Sequence, residues 1–547
     1  MEMREQRRRQ SRRAPGNGNR ANSPKLVPSR RFYTEPSIDM DKEVDMGSLK
    51  DFLIRNWLVI SIVMVGISLR LFFLNHESFW IDEAMTGLRS RWDYPYMFKE
   101  ISAVDQMPLY FTITWLVART FGNSVLVLRG LSVIFGVLAF IPVYKIGNRF
   151  GRKTAVISLA LIAFNPTMIY YSQEAGMYML MVLLSSISIY LYLEYMNPVR
   201  MKRKTSGAFM AITNVALIYI HYFGALFVGL QLLSFLVTYT YRSYRSSHPV
   251  LIKGLVKSST PLSLSLLTFL PWLIFQQTSN SITNKTTGGT LGLGWDLLPG
   301  TFTFLGGHYT AVLKYDIRIA VITGFLLVIA LIISIVYIFM KKREDQDIPV
   351  FIILSVFILF VSPLIVFFLS HNLTPMYNHR YFVFMALPYL MLIAIAISSL
   401  KGTKGEGKGR RNLLPVILVV VLLVPSIATD IEQLSGRDKA DWKGGIDLIL
   451  KNQKIGDVVV PFPDHEQMLI YYYTHDLQIE LMGAIEDRDQ FLDSHGRVWV
   501  IFNEVEPIDE QQLIVDLNGW EMKEYCVELV TVRLYVKPLL ADMVGVS

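Results

Sequence analysis

The sequence predicts a polytopic α-helical membrane protein with about eleven transmembrane helices, followed by a C-terminal extracytoplasmic α/β domain. Three observations carry that prediction: unbroken apolar runs, a one-sided distribution of Lys and Arg between them, and an acidic, strand-patterned C-terminal segment. Of the 547 residues, 52% are hydrophobic and only 18% are charged, against about 25% charged in soluble domains. The apolar residues collect in runs of roughly 16–24, the length a helix needs to cross a hydrocarbon core about 30 Å thick. A soluble multidomain enzyme is excluded.

The predicted spans lie near 57–74, 124–147, 154–171, 177–196, 206–220, 223–241, 259–276, 317–340, 349–369, 382–400 and 413–429. The run from Pro108 to Phe121 is apolar but shorter, and it contains Arg119. It reads as an interfacial or re-entrant helix. Charge tests that choice, because short cytoplasmic loops are enriched in Lys and Arg. With the N-terminus inside, the loops 148–153, 197–205, 242–258, 341–348 and 401–412 hold 19 Lys and Arg. The outside segments 75–123, 172–176, 221–222, 277–316 and 370–381 hold 7 over a greater length. Counting Pro108–Phe121 as a span would reverse every later loop and destroy this bias.

Three regions follow. Residues 1–50 read as a disordered basic cytoplasmic tail: residues 1–31 alone carry nine Arg and Lys25 against Glu2 and Glu5, which is +8, the net charge of the whole chain. A basic tail of Arg, Pro and Asn points to membrane lipids or a retention signal rather than to nucleic acid. Residues 51–429 form the transmembrane region, with its first outside loop at 75–123. Residues 430–547, with 23 acidic and 10 basic residues, form the extracytoplasmic domain: a helix at Asp441–Lys451, strands at Asp457–Pro461 and Arg497–Asn503, and a terminal hairpin around Glu524–Val536. The single cysteine, Cys526, excludes an intrachain disulfide framework and any multi-cysteine metal site. That lack favours a prokaryotic plasma membrane over an endoplasmic reticulum.

Polar chemistry collects on the outside face. Asp82 and Glu83, in "FWIDEA", follow the first span within a few residues; acids so close to the bilayer are costly unless they bind something, although a helix N-terminus also favours them. Asp105, in "DQMPLY", opens the Pro108 helix, where an N-cap role accounts for it equally well. Glu174 lies in "YYSQEAGMY", a tight outside turn with no basic neighbour, so its partner must come from elsewhere. His221 stands at another short outside turn, either as a ligand or as a snorkelling amphipath. Arg129 and the pair Arg380–Tyr381 lie at outer span ends, where a guanidinium holds either lipid phosphate or a substrate anion.

The ordered set "FWIDEA", "D-x-x-P-L-Y", "LRGLSVIFG", "NPTMIYYSQEAGMY", "HYFG" and "HRYF" resembles the integral-membrane glycosyltransferases of the GT-C fold. It is most similar to the family 39-like group of protein O-mannosyltransferases and lipid A aminoarabinose transferases. The similarity covers roughly 57–400, and the outside α/β tail resembles the aminoarabinose branch. The resemblance implies inverting transfer of one sugar from a polyprenyl-phosphate donor to a protein, lipid or glycan acceptor on the extracytoplasmic face. It implies Asp82 as the catalytic acid of the first outside loop, with Glu83 beside it and Asp105 as a second acid in metal or substrate contact. Tyr171, Gln173, Glu174, Tyr178, Arg129, Arg380 and Tyr381 fall at substrate-binding positions, and His221 with Asp105 at a metal site for a divalent cation. Two positions depart from the pattern: Gly176 stands where relatives carry Arg, and Met107 where they carry Pro.

In such a reaction one carboxylate serves as general base while phosphate departs as a stable anion, so no second acid need protonate the leaving group. The rival class is a membrane transporter or lipid flippase without transferase activity. That class places ionisable residues at the bilayer midplane, whereas here they gather at the outer ends of spans.

Overall fold

The computed structural model describes residues 46–104, 106–245, 252–279, 297–307, 317–341, 346–372, 376–400, 440–480, 488–503 and 519–538, together with Leu517 and single positions between 417 and 431. The chain divides into two units, Met1–Arg55 and Asn56–Ser547. Of the first, the described part is the start of the helix Met46–Leu71, so helix begins inside the segment read as tail; the rest of that tail lies outside the described residues.

Seven described helices are long and apolar enough to cross a membrane: Leu53–Leu71, Val125–Arg149, Tyr178–Met196, Tyr222–Tyr244, Ile252–Gln276, Asp347–Asn372 and His379–Ser399. The chain is an integral, multi-pass membrane protein. Helices are the expected solution, because lipid offers no partner for a backbone N–H or C=O. Three further predicted spans differ in their standing. The run at 206–220 forms Arg203–Ile218, only 16 residues; that at 317–340 forms Ile317–Lys341, 25 residues; and 413–429 lies largely outside the described residues. Pro108–Phe121 is a helix of 14 residues, about 21 Å long and too short to cross.

The predicted span at 154–171 is not one continuous helix. It consists of two helices, Arg152–Ala163 and Pro166–Ser172, bent by 58°. Pro166 has no N–H to donate, and its ring bars Asn165 from helical geometry. The polar groups freed by the break find partners. Arg70, fully buried, donates to the carbonyls of Ala163 (2.9 Å) and Ile162 (3.2 Å) and to Ser172 Oγ (3.1 Å). The Asn165 side chain accepts the Met168 N–H and donates to the Leu305 carbonyl. A charge inside a span is therefore used as a helix cap.

Two other polar networks lie between helices. Ser188, Asn214 and Gln231, all fully buried, hydrogen-bond in a closed set joining three helices, which satisfies each amide within the bundle. Arg149 pairs with Glu194 (2.6 Å) and Asp347 (2.8 Å), and Glu194 also accepts three consecutive N–H groups from Val199 to Met201. In the sequence only Arg149 stood out, as one of the basic residues of the loop 148–153. Paired and multiply bonded, the three residues tie helix ends together.

In the C-terminal segment the predicted elements fold with small shifts. The helix is Trp442–Asn452, capped by the Asp441 carboxylate. The strands are β1 Val458–Phe462, β2 Arg497–Asn503, β3 Glu521–Val527 and β4 Val530–Val536. They form one sheet in the order β1-β2-β4-β3, with β1 and β2 parallel and the other pairs antiparallel. Cys526 is exposed on β3. One core cluster contains Trp499, Ile501 and Val532 of the sheet together with Phe79, Ala84 and Leu88 of the loop segment that follows the first helix. The domain is thus packed onto that loop rather than tethered beside it.

Candidate active site

The first helix ends at Leu71, and a short turn leads into the helix Ile81–Arg91 with Asp82 and Glu83 in its first turn. Neighbouring residues on a helix point about 100° apart, so the two carboxylates meet different surroundings. Asp82 faces outward, its side chain 50% exposed, and its Oδ2 accepts a hydrogen bond from Arg380 Nη1 at 2.7 Å. These residues are 298 positions apart. Arg380 opens the 3-10 turn His379–Met385, held at its start by the Asn378 side chain. Its guanidinium lies among the rings of Trp80 (5.4 Å), Tyr381 (5.6 Å) and Tyr178 (5.9 Å), contacts that favour a cation. Arg380 Nε and Trp80 Nε1 are both buried and have no acceptor among the described residues. An unsatisfied N–H on the guanidinium itself and another on the neighbouring indole suit an anion with several oxygens.

Glu83 does something else. It is fully buried, and its two oxygens accept Arg129 Nε and Nη2 at 2.8 Å each; Oε1 also accepts the Ala175 N–H at 2.8 Å. The remaining Arg129 N–H groups go to the carbonyls of Leu74, Glu77 and Ser78. All five donors of Arg129 are thereby used. Arg129, expected at a substrate position, and Glu83, expected beside the catalytic acid, are instead bonded to each other, and Arg129 also to the loop segment that precedes Glu83. The Gln173 amide donates to the carbonyls of Leu69 and Phe72 at the end of the first helix.

Other predicted residues do converge on Arg380. Tyr171 and Tyr178 are buried with ring centroids 4.7 Å apart, and the Tyr381 ring packs tilted against His221 at 4.8 Å. Glu174 is buried, and its charge interacts with that of Arg380. Gly176 is tight rather than open: a Cβ there would lie 3.1 Å from both Glu174 Oε1 and the Tyr178 ring. Trp80 was missed as a site residue; its only signal was adjacency to the acid pair. Asp105 lies outside the described residues.

Residues 105–275 match the family described as "Dolichyl-phosphate-mannose-protein mannosyltransferase". No curated protein sequence matches the chain. Among solved structures, it is similar to ArnT from Cupriavidus metallidurans bound to undecaprenyl phosphate, at TM-score 0.52 and 14% identity over 88% of this chain and 98% of that one. The archaeal oligosaccharyltransferase AglB from Archaeoglobus fulgidus, in complex with an inhibitory peptide and a dolichol-phosphate, matches at TM-score 0.52 and 12% identity over 86% and 73%. The arabinofuranosyltransferase AftD from Mycobacteria matches at 0.50 and 13% over 88% and 40%. The chain has the GT-C fold.

Within this GT-C chain the metal expectation finds no support. Among the described residues no group of three or more His, Cys, Asp and Glu could hold an ion. His221 Nδ1 accepts the Phe223 N–H, and rings and a guanidinium surround the imidazole. Burial, with the Arg380 charge second, lowers its pKa to about 4, so it is neutral at physiological pH. Protonation is then easier in the unfolded chain, whose histidine titrates near 6.5. The contribution of His221 to stability is complete above about pH 6.5 and falls as pH drops from there toward 4. A His221→Gln variant should show a shallower loss of melting temperature between these values, as measured by thermal unfolding in detergent; an unchanged slope would refute this.

Proposed function

We propose that the chain is a glycosyltransferase that moves one sugar, with inversion, from a polyprenyl-phosphate donor to an acceptor on the extracytoplasmic face. The observation that carries the reading is the contact of Asp82 with Arg380 at 2.7 Å, together with the buried Arg380 Nε–H and Trp80 Nε1–H, which have no acceptor among the described residues. The GT-C fold supports the same class. The positive-inside bias supports a cytoplasmic N-terminus, which puts the site outside.

The donor phosphate competes with Asp82 for Arg380. Its oxygens take the guanidinium and the Trp80 indole N–H, and the displaced carboxylate turns to the acceptor. As the acceptor hydroxyl passes its proton to Asp82, its oxygen bonds to the anomeric carbon from the face opposite the phosphate. The carbon–oxygen bond to phosphate breaks, and its electron pair leaves with polyprenyl phosphate, an anion that Arg380 holds. The sugar thus enters between Asp82 and Arg380, which are in contact in the structure. Glu83 and Arg129 hold the loop, and the tyrosines beside Arg380 offer apolar faces to the donor.

Purified full-length protein in liposomes, given radiolabelled polyprenyl-phosphate sugars and a membrane extract, should transfer label to an acceptor. Arg380→Ala should require much higher donor concentrations. Label reaching no acceptor from any donor, with labelled lipid crossing the bilayer instead, would overturn the reading in favour of a flippase.

A further inference from the structure

We propose that the C-terminal α/β domain is a positioning clamp for the helix that carries Asp82, acting through Tyr472 and Tyr473. The proposal rests on the reading of Asp82 as the reacting carboxylate. These two tyrosines end the helix Gln467–Tyr473, which packs on the helix Ile81–Arg91.

The grip begins just before Asp82. The Phe79 N–H donates to the Tyr473 hydroxyl at 2.7 Å. One residue earlier, Ser78 Oγ donates to Asp441 Oδ1 at 2.7 Å and accepts the Lys443 N–H, while Arg129 holds the Ser78 carbonyl. The peptide that enters the Asp82 helix is therefore fixed from the membrane side and from the domain side together. Burial holds the Tyr473 hydroxyl above the usual phenol range, so it stays neutral and can accept this bond.

The grip continues along the helix. Gly87 lies so close to the Tyr472 ring that a Cβ would sit 2.4 Å from Cε2, so only glycine fits without moving the ring. Tyr472 also packs tilted against Phe79 (4.9 Å), carries the Arg91 guanidinium at 4.5 Å, and donates its hydroxyl to the Asn123 carbonyl. Both ends of one short helix are thus referenced to one pair of rings, and the carboxylate between them has little freedom to tilt. Catalytic groups need such support, because a displacement of about 1 Å can cost on the order of a hundredfold in rate.

The test uses full-length Tyr473→Phe, which keeps the ring and removes the acceptor of the Phe79 N–H, and Gly87→Ala, which displaces the Tyr472 ring. Each should lower kcat roughly ten- to a hundredfold, with donor KM and melting temperature nearly unchanged. Arg533→Gln, which breaks an exposed ion pair with Glu524 in the same domain, should leave activity intact. The decisive comparison is Tyr473→Phe in an Asp82→Asn background: a group that works through Asp82 has little left to affect there, so the residual rate should hardly change. The clamp is overturned if kcat survives both single variants, or if Tyr473→Phe costs as much in the Asp82→Asn background as alone. Full activity in Asp82→Asn by itself would remove the base assignment instead, and the single variants would still decide whether the domain positions the helix.

Discussion

An Asp82→Asn variant is expected to fold and to lose transfer almost entirely, by roughly 10²–10⁴ in kcat, the range that general-base catalysis supplies. Asparagine keeps the volume and can still accept a hydrogen bond from Arg380, but it cannot take a proton from the acceptor. Because the side chain is half exposed, the change should cost little stability. Initial rates at saturating donor, beside thermal unfolding of the same preparation, separate chemistry from folding. Near-normal turnover by a well-folded Asp82→Asn protein would exclude Asp82 as the base. Asp82→Glu is the informative companion: it restores the carboxylate but displaces it by one methylene, so a partial rate is expected.

Glu83→Ala should act in the opposite way, through folding. Arg129 and Glu83 are 2% and 0% exposed, and removing one partner leaves a buried guanidinium without its counter-charge, at a cost of about 3–5 kcal/mol. The Ala175 N–H loses its acceptor as well. The expected result is a much lower yield of monodisperse protein and a clearly lower melting temperature in detergent. The double variant Glu83→Ala with Arg129→Met should recover part of the loss, because no charge is then left buried. A melting temperature unchanged in Glu83→Ala would show that the pair does not brace the loop. The two adjacent acids are therefore separable by experiment, one by rate and one by stability.

This separation marks where sequence reading ran out. Asp82 and Glu83 are indistinguishable in "FWIDEA", and so are Arg129 and Arg380 as cations at outer span ends. Which acid meets which arginine is decided by contacts spanning 46 and 298 residues, and no local pattern encodes them. Gln173 looked like part of a binding motif for the same reason: its carbonyl partners belong to another helix. The buried cap formed by Arg70 was invisible, because a charge near a span end is ordinarily an interfacial anchor.

What the sequence by itself determined is the membrane-spanning character, the terminal α/β elements and the gathering of acids and arginines at the ends of spans. Each of these follows from a local rule. Lipid forces apolar stretches into helices, strand periodicity is two residues, and charge is expensive at membrane depth. Only the tertiary structure decided the bend at Pro166, the division of the acids into one facing Arg380 and one locked inside, and the docking of the C-terminal domain on the Asp82 helix. These depend on which surfaces meet when distant segments pack. The free energy of such a meeting belongs to the pair of surfaces and to neither stretch of chain alone.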